Sequence, residues 1–111
     1  MRPEALKGHL DAMLLAVLER GPRHGYAVIE ELRAGSGNRF DLPTGTIYPA
    51  LHRLERAGLV RSTWSVVAGR RRRTYQLTAA GTRALSDERR VWREFAIGVS
   101  SLLENPWPAT P

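Results

Sequence analysis

The sequence contains no cysteine, which removes disulfides, thiolate metal sites and a cysteine nucleophile together and suits a reducing interior. No apolar run approaches the roughly 18 residues that a membrane-spanning helix needs. The amino-terminal stretch MRPEALKGHLDAMLLAVLE is punctuated by charge and does not read as a secretory signal. Histidine is scarce: His9, His24 and His52 fall on different expected elements without an HxxxH spacing, which disfavours a metal site, including one built from His9 and Asp11. The GSG at Gly35 to Gly37 is not followed by the helix pattern of a phosphate loop, and the acidic residues do not gather into a catalytic pair. These absences point away from an enzyme, a cofactor, a metal and a membrane partner, and towards the cytoplasm.

Basic charge is present, and its placement is more informative than its total. Of the net charge of +6, all falls between Thr44 and Arg73. That segment holds seven arginines (Arg53, Arg56, Arg61, Arg70, Arg71, Arg72 and Arg73) and a single acid, Glu55. The remaining ten basic and ten acidic residues cancel. Such concentration is the footprint of a face that binds a polyanion; the alternative is a merely solvated basic surface.

Apolar spacing divides the 111 residues into a short series of elements within the size range of a single core. Leu6, Leu10, Met13, Leu14, Val17 and Leu18 recur three and four apart, predicting an amphipathic helix from about Pro3 to Arg20, stopped by Gly21-Pro22. A second helix is expected from about His24 to Ala34, with Tyr26, Ile29 and Leu32 buried, Val28 beside them, and His24 satisfying its start. AGSGNRFDLP reads as a loop. The third helix turns Ile47, Leu51 and Leu54 inward, with Thr44 or Thr46 as N-cap, Pro49 tolerated near its start and Ala57-Gly58 as its stop. LVRSTWSVV and RTYQLT predict a β-hairpin joined by AGRRR, with Tyr75 and Leu77 on one face.

Thr78 is expected to cap a final helix running to about Asn105, where NPWPATP forbids continuation. Leu85, Trp92 and Val99 stand seven apart, and Phe95 and Leu102 fill the seam, which Glu88 interrupts. A helix of about 26 residues is about 39 Å long, whereas a globule of this size has a radius of gyration near ~13 Å. The helix must therefore project, and its apolar seam needs a partner, most simply a second copy of the chain. Leu6 and Leu10 of the first helix are candidates for the same interface.

The order helix, helix, helix, strand, strand, helix describes a mainly α fold with a small β-hairpin: a winged helix-turn-helix with a two-stranded wing and a long C-terminal helix. In that arrangement the third helix enters a major groove while the hairpin reaches flanking phosphates or the minor groove. With Ile47, Leu51 and Leu54 inward, Thr44, Thr46, Tyr48, His52, Arg53 and Arg56 lie on or beside the outward face. Arginines there fork onto guanine or phosphate, and hydroxyls donate to phosphate oxygens. For Tyr48 the competing role is a half-buried packing ring, and for Arg56 a helix-dipole contact. Arg70, Arg71, Arg72 and Arg73, adjacent at the hairpin tip, repel one another unless an anion is near; Arg73 has the further option of lying in the strand and packing its stem.

HGYAVIEEL, then PTGTIYPALHRLERAGLV, then GRRRRTYQLTAAG resemble the PadR family of winged-helix transcriptional regulators, with the likeness extending from about Leu6 to Leu103. The single final helix resembles the short subgroup. The resemblance implies a homodimer built through the first and last helices, binding a pseudo-palindromic operator in double-stranded DNA, commonly as a repressor. It divides the chain into a DNA-binding domain over 1–78, a dimerisation helix over 79–105 and a tail over 106–111. In some members an aromatic effector sits between tryptophans of the last helix. By spacing from YQLTAAG, Trp92 matches that position, with Phe95, Met13 and Leu14 as its expected neighbours. Heptad tryptophans also serve simply as core.

Two other readings share the basic patch. A basic RNA-binding or architectural protein would not need the dimer seam, and a winged-helix scaffold would pair the patch with an acidic protein surface. The division into a basic reading half and a neutral, heptad-patterned half favours a two-fold reader of duplex DNA.

Overall fold

The computed structural model describes Leu6 and residues 8–104. The chain runs α1 (Leu10–Glu19), β1 (Arg23–His24), α2 (Gly25–Gly35), α3 (Thr44–Arg56), β2 (Val60–Val67), β3 (Arg70–Leu77) and α4 (Ala79–Leu103). The strands form one antiparallel sheet in the order β1-β3-β2. The mainly α winged-helix architecture with a long final helix is therefore present, with one strand more than the sequence predicts. β1 pairs Arg23 with Tyr75 and His24 with Thr74; at two residues it is too short to leave a periodic signal.

A single core unites the three first helices with the sheet. Leu14, Leu15 and Leu18 of α1 meet Val28 and Leu32 of α2, Ile47, Ala50, Leu51 and Leu54 of α3, Val60, Tyr75 and Leu85. The leucine, isoleucine and valine side chains among them each contribute roughly 1.5–3 kcal/mol on burial, enough in sum to fix the helices against one another. Leu14 is fully buried here and Leu85 is 2% exposed, so neither reaches a pocket or a partner surface as the sequence reading has it. The heptad seam of α4 thus begins as core at Leu85 and becomes surface only further along. Tyr26 is also corrected: it is 66% exposed, and the four-residue step from Val28 to Leu32 carries the buried face of α2 instead.

Helix ends follow local chemistry. Gly8 has φ +85, a left-handed conformation that breaks a helix, so α1 begins at Leu10. Pro3, Asn105 and the tail over 106–111 lie outside the described residues. His24 caps α2 by accepting from the Ala27 N–H at 3.4 Å. The residue before α3 is Pro43, and no side chain among the described residues caps that helix; Thr44 and Thr46 are already inside it. Pro49 stands in the second turn of α3, where it withholds the N–H that the Gly45 carbonyl would otherwise receive. The far end closes as the sequence predicts: Gly58 at φ +77 lets its N–H reach the Glu55 carbonyl at 3.0 Å while Leu59 N–H reaches Leu54 at 3.0 Å, a Schellman motif.

Two corners set where the wing and α4 stand. The hairpin turns on Ala68 (φ +53) and Gly69 (φ +77), the signature of a two-residue type I′ turn. The arginine run therefore lies within β3 and not in the connection. At the base, the Thr78 hydroxyl donates to the Gly58 carbonyl at 2.7 Å and accepts from the Gly81 N–H at 3.0 Å, capping α4. A Cβ at Gly81 would stand 2.0 Å from the Leu59 carbonyl oxygen, so only glycine permits this approach. From there α4 continues for 25 residues, giving the protein extents of 72 × 27 × 20 Å and a radius of gyration of 17.0 Å. Glu19 of α1 accepts both guanidinium nitrogens of Arg89 at 2.8 and 2.9 Å, and this pairing holds the Glu19 carboxyl below its ordinary pKa.

Gly81→Ala is expected to lower stability by about 2–3 kcal/mol, because the backbone of Leu59 cannot retreat from the added methyl. Gly98→Ala, in open space on the same helix, serves as the control in denaturant titration and is expected not to destabilise. Ala68→Asn is expected to gain about 0.5–1 kcal/mol, since asparagine accepts the left-handed conformation that alanine adopts here at a cost.

Candidate nucleic-acid interface

The exposed side of α3 follows from its buried one. With Ile47, Ala50, Leu51 and Leu54 in the core, steps of four, three and four place Gly45, Pro49, His52 and Arg56 along the centre of the opposite face. Thr44, Gly45, Thr46, Pro49, Arg53 and Arg56 are exposed, while Tyr48 and His52 are half-buried. Gly45 and Pro49 are absent from the sequence-predicted set because neither offers a hydrogen-bonding side chain. Their signal was present all the same: both are poor helix formers, and here they leave a low, open surface where another backbone can approach. The uncapped start of α3 adds N–H groups suited to a phosphate oxygen.

A groove of about 550 Å³ lies between α3 and the wing, lined by Tyr26, Tyr48, His52, Trp64 and Tyr75 with the four consecutive arginines. Successive rings in it stand 6.5 Å apart: Tyr26 to Tyr48, Tyr48 to His52, and His52 to Tyr75. Tyr48 occupies space that any side chain at residue 25 would need, since a Cβ on Gly25 would lie 2.3 Å from its hydroxyl oxygen. The ring is thus a packing element between α2 and α3 whose edge still reaches the groove. Burial pushes the phenols of Tyr48 and Tyr75 above their ordinary pKa, so both remain neutral hydrogen-bond donors at physiological pH.

The arginines divide into two groups. Arg53 is held by Asp11 of α1, and Thr46 and Arg53 border a second hollow with Leu6, Leu10, Leu42 and Glu88. Arg73 donates to Glu55 at 2.9 Å and to the Ser62 hydroxyl at 2.8 Å, and Ser62 donates in turn to Glu55. Glu55, the one acid of the basic segment, is therefore a tie between the last turn of α3 and both wing strands. Arg56, Arg70, Arg71 and Arg72 have no carboxylate partner among the described residues. Arg61 contacts the side-chain amide of Gln76, its cross-strand neighbour.

Strand alternation splits the run again. The register pairs Trp64 with Arg73 and Val66 with Arg71 on the face that carries Tyr75, and Ser65 with Arg72 and Val67 with Arg70 on the other. Trp64, unmarked by sequence reasoning, lies under the Arg71 guanidinium at 4.6 Å from its ring centroid; only the register reveals that contact.

Away from this interface, α4 exposes Trp92 (53%), Phe95 (54%) and Leu102 (58%) along one stripe with half-buried Val99. Trp92 and Phe95 stand 5.9 Å apart, and His9 meets Trp92 edge-on at 5.3 Å; His9 is thus half-buried against α4. Met13 lines a different hollow, between α1 and α2 beside Phe40, so the expected quartet of Trp92, Phe95, Met13 and Leu14 does not assemble within one protomer. No described helix is long and apolar enough to cross a membrane.

Comparison with known proteins agrees with this geometry. Residues 14–87 match the family described as Transcriptional regulator PadR-like family. The transcriptional regulator Rv3488 of Mycobacterium tuberculosis is 45% identical over 73 residues, covering 66% of this chain and 65% of the relative. A PadR family transcription regulator of Clostridium difficile is 31% identical with a TM-score of 0.75, over 88% of this chain and all of that structure (100%). A PadR family transcriptional regulator from Eggerthella lenta is 33% identical with a TM-score of 0.79, over 93% of this chain and 88% of that structure. This chain belongs to the PadR-like family, and is a DNA-binding transcriptional regulator and not an enzyme.

Proposed function

We propose that the protein is a homodimeric, cytoplasmic repressor that reads a pseudo-palindromic operator, laying α3 in the major groove and its wing alongside. The observation that carries this reading is the set of cations without carboxylate partners among the described residues, Arg56, Arg70, Arg71 and Arg72, on the side of the molecule where α3 is exposed. Thr44, Thr46, Tyr48 and His52 then meet base edges or phosphates beside them. Arg53 and Arg73 act differently from the others, as ion-paired supports of the interface. A reader with two-fold symmetry places its half-sites about 34 Å apart, and occupying a promoter excludes polymerase from it.

The dimer reading rests on the stripe of Trp92, Phe95, Val99 and Leu102 along a helix that extends beyond the core. Leu6 and Leu10 flank α1 where it approaches that helix. The cluster of Trp92, Phe95 and His9 offers stacking surfaces for a small aromatic effector at the same interface; Met13 and Leu14 are not part of it. Burying the stripe against a second copy removes large apolar side chains from water, each worth on the order of 1.5–3 kcal/mol.

Sedimentation with duplex DNA at two salt concentrations tests both halves of the proposal. A dimer that binds duplex and weakens steeply with salt is expected; a monomer indifferent to duplex, or one preferring RNA, would overturn it. Arg70→Ala with Arg72→Ala is expected to reduce the slope of log K against log salt by about two, one for each phosphate contact. Arg53→Ala is expected to leave that slope nearly unchanged, because Asp11 already neutralises it. Trp92→Glu, which sets a carboxylate into the apolar seam, is expected to leave the protein folded but monomeric at micromolar concentration, as read by sedimentation equilibrium.

A further inference from the structure

The wing has two chemically different faces. One bears Arg61, Arg70 and Arg72 with Thr63 and Ser65, polar apart from Val67, which stands beside the turn opposite Arg70 and is 47% exposed. The other bears Arg71 between two apolar side chains that none of the described residues covers: Val66, its cross-strand partner, is 69% exposed, and Trp64 is 58% exposed. Phosphate binding needs only cations, and the first face supplies them. It gives no account of an exposed tryptophan and valine flanking an arginine.

Resting on the DNA-binding reading, we propose that Trp64 is a positioning residue that presents Arg71 to the minor groove of an A·T-rich flank outside the sequence read by α3. The Arg71 guanidinium lies 4.6 Å from the Trp64 ring centroid, so the indole shields one side of it from water and restrains its rotamers. No carboxylate among the described residues competes for it. Its neighbour on the same ring, Arg73, is 5.7 Å away and anchored by Glu55, so Arg71 is the one that can reach outward. A narrow minor groove concentrates negative potential and attracts such an arginine. The deoxyribose walls of that groove are largely C–H surface, matching Val66 and the indole edge, and apolar side chains beside basic ones are typical of minor-groove contact. Because A-tracts narrow the groove and G·C steps widen it, the contact discriminates flanking sequence without a hydrogen bond to any particular base.

The test compares two duplexes that share one bound operator core and differ only in flanks, A-tract against G·C, at fixed salt. Wild-type protein is expected to favour the A-tract duplex. Trp64→Ala is expected to lower affinity for that duplex by about 2- to 5-fold, the range for an exposed cation–π contact, and to leave the G·C duplex nearly unaffected. Arg71→Ala is expected to erase the flank preference, and adding Trp64→Ala to it to cost nothing more, because the tryptophan acts only through the arginine. Trp64→Phe, which keeps a ring face, is expected to restore most of the preference. Equal losses on both duplexes, or additive losses in the double variant, would show that Trp64 serves the fold of the wing and overturn the proposal. Salt-sensitive binding with no flank preference in the wild type would overturn it while leaving the DNA-reading function intact; absence of duplex binding would remove both.

Discussion

The interface is held in shape by one carboxylate. Glu55 stands at the last turn of α3, accepts from Arg73 of β3 and from the Ser62 hydroxyl of β2, and so fixes the wing relative to the helix beside it. Both partners are only partly exposed, 35% for Arg73 and 27% for Glu55, so water screens the pair less than it does most surface pairs. The core alone cannot set this angle, because the outer half of the hairpin, from Thr63 onward, is exposed on β2. An acid in the midst of seven arginines is therefore no accident of composition. It spends one cation to orient the others.

The same arithmetic explains why a raw count of arginines overstates the binding charge. Seven basic residues lie between Thr44 and Arg73, yet Asp11 and Glu55 engage two of them. What remains is displayed on the outer side of α3 and on two faces of a strand pair. Counterion release depends on cations that exchange a salt ion for a phosphate, so the paired arginines contribute geometry and the unpaired ones contribute salt dependence.

Much of this was legible in the sequence, because periodicity reports burial directly. Ile47, Leu51 and Leu54 identified the inward face of α3, and Gly58 marked its end. The wing was legible as a hairpin but not in its turn. Ala-Gly lacks the asparagine or aspartate that usually announces a type I′ turn, so composition alone extends the connection into the arginines. Tyr26 fits a three-residue spacing with Ile29 and Leu32, while Val28 stands four before Leu32; both spacings suit a helix, and only the packing decides between them. Leu85 sat in register with Trp92 and Val99, but a heptad pattern cannot tell where a helix leaves its own core and begins to need another chain. The Asp11–Arg53 pair, 42 residues apart in sequence, and the Trp64–Arg71 contact arise from tertiary placement and strand register, which composition does not encode.

Placement also makes α1 the connecting element of the molecule. Its Leu14, Leu15 and Leu18 fill the core beneath α3, and its Asp11 holds Arg53 at the edge of the exposed face. The preceding His9 rests on Trp92, and Glu19 at its far end grips Arg89. α4 is thus bound to the body at two points along α1, and α3 is bound to the same helix by both packing and charge. A close-packed core transmits a displacement and does not absorb it. Any rearrangement around Trp92 that shifts α1 must therefore bear on Arg53, while the wing, tied to α3 through Glu55, moves with the helix it flanks. The stripe on α4 and the arginines of the interface lie on different surfaces, but one helix joins them mechanically.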